Sequence, residues 1–116
     1  QLLPDGQLLV LERITLSTKI YRVMLSSENA APSAMAHPNM RPTMEQMSRK
    51  ELRKAGVALL EKALILSTDN HPDICGDLEG MIVLEGGALL LSNDSDFGIE
   101  GAETQFWRVD LPDGAI

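Results

Sequence analysis

Aromatic side chains are scarce in this chain. Phe, Trp and Tyr make up 3 % of its 116 residues, so a core has to be closed by aliphatic groups. Cysteine is almost missing too: Cys75 stands alone, which excludes an internal disulfide and a thiolate zinc site and leaves it as a small apolar filler. No apolar run approaches the roughly 18 residues that a membrane-spanning helix needs, because Glu, Lys or Asp interrupts the longest ones. Basic residues are also few. Ten Lys and Arg against seventeen Asp and Glu give a formal charge of −7, which repels a phosphate backbone, so nucleic acid is not an expected partner. Gln1 opens directly on an apolar stretch with no initiator Met, charged leader or cleavage signature, and the chain reads as a segment of a longer protein.

What is present is 44 % hydrophobic residues, enough for the core of one small domain. The expected class is mainly β. Pro4-Asp5-Gly6 is a turn, in which Pro presets φ, Asp can cap and Gly accepts positive φ; a strand follows from Gln7 to about Glu12. Thr15 to Leu25, rich in β-branched residues, reads as its antiparallel partner. Ser26 to Met47 has three prolines and no period, and reads as a long surface loop, with disorder compatible with its composition. Its methionines, 35, 40, 44 and 47, read as covers for apolar surface, the last three at helical spacing, rather than as ligands of a soft metal. Ser48-Arg-Lys-Glu51 is a capping box that opens a two-turn helix ending at Gly56. A strand is expected from about Glu61 to Ser67, although Ala-Leu-Leu-Glu-Lys-Ala is equally a helix former. A hairpin follows, Gly80 to Leu84 and Ala88 to Asn93 around Glu85-Gly86-Gly87, then a last strand from Thr104 to Leu111.

One echo ties these pieces together. Leu3-Pro-Asp-Gly-Gln-Leu-Leu-Val-Leu-Glu-Arg13 and Leu84-Glu-Gly-Gly-Ala-Leu-Leu-Leu-Ser-Asn-Asp94 share the order Leu, polar turn, Gly, variable residue, aliphatic triplet, polar pair. Leu111-Pro-Asp-Gly114 opens like a third copy. Recurrent turn-plus-strand units too small to bury both faces are the sequence pattern of β-propeller blades, and the chain spans about one and a half to two of them.

The hairpin's open ends carry hard oxygen donors. Glu79 stands just before one strand and Asn93 and Asp94 just after its partner, so an antiparallel pair brings them to the same end; Asp96 and Glu100 lie on the next loop. Carboxylate and amide oxygens suit Ca²⁺, not Zn²⁺. The same residues also close Asx-turns after strands, and both readings stand on the sequence. A cation here would serve phosphomonoester hydrolysis or polarise an ester carbonyl. Arg13 is the candidate for the phosphate charge, with Glu12 beside it. Neighbours on a strand point to opposite faces, so Glu12 and Arg13 share a site only where the strand ends. His37 and His71 sit in loops before Pro, and with no Gly-x-Ser-x-Gly elbow a serine esterase has no local support.

Leu3 to Arg13, Ile20-Tyr-Arg-Val23, Glu61-Lys-Ala-Leu-Ile-Leu66, Asp77-Leu-Glu-Gly-Met81 and Leu91-Ser-Asn-Asp-Ser-Asp-Phe-Gly98 resemble, in that order, the C-terminal half of the phytase-like domain described as having esterase-like activity. The resemblance covers most of the chain outside 26–47. It implies a β-propeller, usually on exported bacterial proteins and hence periplasmic or extracellular, acting on a small phosphate or carboxylic ester. The remaining blades of a parent chain, or self-association, would then cover the fragment's open faces. The Glu-Gly glutamate and Asn-Asp pair are similar to the calcium sites of propeller lactonases and phosphotriesterases, an analogy at the level of fold.

Overall fold

The computed structural model describes the backbone of residues 1–116 and, Glu100 excepted, their side chains. The chain divides into two compact units, Gln1–Val23 with Lys62–Ile116, and Met24–Glu61. The first is mainly β, as expected.

That unit contains two three-stranded sheets. β1 (Gln7–Ile14), β2 (Ser17–Met24) and β3 (Lys62–Ser67) lie in that order in one; β4 (Leu78–Val83), β5 (Leu89–Asn93) and β6 (Phe106–Val109) lie in that order in the other. β2 with β3, β4 with β5 and β5 with β6 pair antiparallel. β1 continues through Glu12 and Arg13 to Ile14, two residues beyond the expected end. Thr15 and Leu16 alone join it to β2, Thr15 at φ 51. β4 starts at Leu78, so Glu79 lies inside the strand rather than ahead of it, and β6 is shorter than the expected 104–111.

The sequence echo reappears as one repeated turn. The Gly6 N–H donates to the Leu3 carbonyl at 3.0 Å and the Leu3 N–H to the Gln7 carbonyl at 2.8 Å; the Gly87 N–H donates to Leu84 at 3.1 Å and the Leu84 N–H to Ala88 at 2.8 Å. Gly6 and Gly87 share φ 83, a left-handed conformation in which a Cβ is strained. The strands that follow bury opposite phases. In β1 Leu9 is buried while Leu8 and Val10 are half-buried; in β5 Leu89 and Leu91 are buried and Leu90 is half-buried. Counted from the shared turn, Leu9 corresponds to Leu90, so the two copies present opposite faces to the common core. That core pools Leu3, Leu9, Ile20, Leu66, Ile74, Leu78, Leu89 and Leu91, with Trp107 and Val109 packed against it. Aliphatic groups close it, in keeping with the shortage of aromatics. The outward face of the second sheet leaves Ile82 49 % and Phe106 67 % exposed.

A buried polar stitch joins β2 to the approach of β4. The Thr18 N–H donates to Thr68 Oγ1 at 2.9 Å, the Thr18 hydroxyl donates to the Gly76 carbonyl at 2.7 Å, and the Leu78 N–H donates back to Thr18 Oγ1 at 3.3 Å. Gly76 has to be glycine, since a Cβ there would overlap the Leu16 carbonyl. Trp107 donates its Nε1 proton to the Asp73 carbonyl at 3.1 Å and so fastens the segment that leads to this stitch.

In the second unit, residues 26–47 are a surface stretch as expected, built from 3₁₀ turns at Ser27–Asn29, Ser33–Ala36 and Met44–Gln46. The capping box forms: the Ser48 N–H donates to Glu51 Oε2 at 2.7 Å and the Glu51 N–H to Ser48 Oγ at 3.3 Å, opening α1 (Arg49–Lys54). No helix is long and apolar enough to cross a membrane among the described residues.

Candidate functional site

β4 and β5 pair Leu78 with Asn93 and Gly80 with Ser92, so Glu79 is an extra residue with no partner opposite it, a β-bulge. Gly80 permits this crowding, because a Cβ there would collide with the Ser92 hydroxyl. Asp77 and Glu79 flank the fully buried Leu78, and both carboxylates turn to Arg13 at the end of β1, in the other sheet. Arg13 bonds Asp77 through Nη1 and lies 3.2 Å from Glu79 Oε1 through Nη2. Asp77, first by its hydrogen bond and then by its charge, raises the guanidinium pKa, and Glu79 and Asp96 add to the same field. The site thus sets two carboxylates, Asp77 and Glu79, against one fixed positive charge. The paired side chains are about 40 % exposed, so water screens the attraction and it contributes little to stability.

The other expected site residues lie as follows. Asn93 has both amide atoms engaged by the loop before β6: Oδ1 accepts the Gln105 N–H at 2.6 Å and Nδ2 donates to the Glu103 carbonyl at 3.1 Å. Asp94 Oδ1 accepts the Asp96 N–H at 3.0 Å, an Asx-turn, and Asp96 takes φ 46. Glu12 points away from Arg13, as neighbours on an unbroken strand do. Both its oxygens accept from Lys62 Nζ, at 2.6 and 2.7 Å, and that ammonium lies 4.3 Å from the Tyr21 ring centroid. Glu12 and Arg13 nonetheless line one cleft of about 290 Å³ with Ile14, Ser17, Lys19 and Tyr21. Lys19 Nζ lies 3.6 Å from Asp69.

At the open end of the hairpin Asp77 and Glu79 thus meet a guanidinium, while Asn93 and Asp94 serve their own loop. Among the described residues no group of three or more His, Cys, Asp or Glu side chains is arranged to hold a metal ion. Carboxylate and amide oxygens are of the kind that Ca²⁺ takes. Sequence reasoning counted Asp77 among the acidic groups ahead of the hairpin but not among the metal ligands, and left Lys19 out altogether. Asp77 had a signal, since it lies two residues before Glu79 and so on the same side of an extended chain; Lys19 had none beyond its sign. His37 and His71 form their hydrogen bonds within their own loops, His37 Nδ1 accepting the Asn39 N–H and the His71 N–H donating to the Thr68 carbonyl. Compared with protein-family models, curated proteins and solved structures, the chain matches none.

Proposed function

We propose that the chain is part of a phytase-like β-propeller hydrolase acting on a phosphomonoester or a carboxylic ester, with the reacting group held in the cleft beside Arg13. One observation carries the reading: Arg13 from β1 meets Asp77 and Glu79 of the other sheet at the rim of a cleft that Lys19 also lines. Two cations at one cleft suit the oxygens of a phosphate ester, Arg13 by its planar donors and Lys19 as a point charge. Glu12, its carboxylate held by Lys62 Nζ, lines the same cleft as a proton acceptor for an attacking water. Asp77 and Glu79 orient the guanidinium. Ca²⁺, when bound, would supply charge neutralisation for the ester oxygens, with Glu79 and Asp96 offering it carboxylate ligands. The propeller part of the reading is supported by the repeated turn and the opposite burial phases of β1 and β5, which are what successive blades stacked front to back require.

A second reading, a non-catalytic propeller that binds a ligand or protein around a structural cation, is favoured by the engagement of Asn93 and Asp94 in loop closure. Assay against a phosphomonoester and a short-chain ester, with Ca²⁺ and with chelator, separates the two. Hydrolysis that falls on chelation is the expected result. No turnover under any condition, with calcium only raising Tm, would sink the enzyme reading.

A further inference from the structure

Four of the six methionines crowd into Met35-Ala-His-Pro-Asn-Met40-Arg-Pro-Thr-Met44-Glu-Gln-Met47. Their unit has no buried core for them to close: none of the described residues from 24 to 61 is buried, and the four methionines are half-buried, as are Pro32, Leu52, Ala55 and Val57. They do not form a helical stripe either, because the backbone is cut into separate turns. His37 and Met40 end one turn, closed by the Met40 N–H on the His37 carbonyl at 3.0 Å. Met44 and Met47 end another, closed by the Met47 N–H on the Met44 carbonyl at 3.2 Å along the 3₁₀ segment Met44–Gln46. In a 3₁₀ turn the side chains at i and i+3 eclipse, so Met44 and Met47 leave the chain on the same side. Gln46 Oε1 accepts the Thr43 N–H at 3.0 Å and fixes that turn.

We propose that Met40, Met44 and Met47, with Met35 as a fourth donor, form a binding site for a soft monovalent metal ion, Cu⁺ or its surrogate Ag⁺. A thioether sulfur is neutral and polarisable, which suits such ions and is a poor match for Ca²⁺ or Mg²⁺. Several thioethers held in short turns spare the chain much of the ordering cost of binding. His37 stays outside the donor set. Its Nδ1 accepts the Asn39 N–H at 3.2 Å, so in the neutral ring Nε2 carries the proton, and ligation would need that arrangement undone.

The test is a silver nitrate titration of the full chain in chloride-free buffer, carrying Cys75→Ser so that the lone thiol does not compete, followed by NMR of ¹³C-methyl methionine. The expected result is saturable movement of the Met35, Met40, Met44 and Met47 methyl signals while those of Met24 and Met81 stay in place. The triple change Met40→Leu, Met44→Leu, Met47→Leu preserves apolar volume and is expected to abolish saturable silver binding with an unchanged circular dichroism spectrum. Equal movement of all six methyls, no saturable movement, or tight silver binding by the leucine variant would each overturn the site.

Discussion

Arg13 illustrates how one side chain can join parts of a chain 64 residues apart without stabilising it much. Its partners are nearly half exposed, so Arg13→Gln is expected to change the unfolding free energy by less than about 1 kcal/mol. On the proposed hydrolase reading the same change should lower phosphomonoester turnover by a factor of ten or more, because the guanidinium's charge-assisted hydrogen bonds to the ester would be lost. Paired denaturation and kinetic measurements check both halves. Thr18 is the opposite case. Its hydroxyl is wholly buried and serves the Gly76 carbonyl and the Leu78 N–H, so Thr18→Val strands both and is expected to cost about 1–3 kcal/mol in urea unfolding. A sequence reader sees Thr18 as an ordinary β-branched strand residue. Its importance comes from what β4's approach places above it.

Elements defined by local rules were legible. The capping box at Ser48 and Glu51 opens α1 where the spacing of Ser and Glu puts it, because both partners lie within one turn. Its Glu51 carboxyl is held below the ordinary range by hydrogen bonds from the Ser48 hydroxyl and then the Ser48 backbone. A lowered pKa means that the stabilisation is present above the unfolded-state value and is lost as pH falls through the folded one. Helicity at 49–54 should therefore decline with acid below the ordinary carboxylate range, while Glu51→Gln, which keeps a capping partner but no charge, should flatten that profile; amide shifts of residues 49–54 against pH read it directly. The bulge at Glu79 was not legible in the same way. Whether a strand residue has a partner opposite depends on the register of β5, and the pattern of β4 alone contains no register.

At the scale of the whole molecule, two sheets share one core through opposite faces of a repeated unit, and each keeps a second face outside it. On the second sheet that face carries Ile82 and Phe106, well exposed, with Leu90 between their strands. Such a surface favours association. Ile82→Lys together with Phe106→Ser is expected to reduce concentration-dependent self-association in sedimentation velocity while leaving the inward-facing core intact. An unchanged association constant would show that this face plays no part.

The sequence by itself determined the β class, the turn at Pro4-Asp5-Gly6 with its copy at Glu85-Gly86-Gly87, the hairpin, the helix cap and the acidic surface, because propensity, turn chemistry and alternation act over a few neighbouring residues. Only the tertiary structure decided which oxygens meet. It spent Asn93 and Asp94 on their own loop, sent Glu12 to Lys62, and set Arg13 between Asp77 and Glu79, since those choices depend on the pairing of distant strands and on which face of each sheet the common core claims.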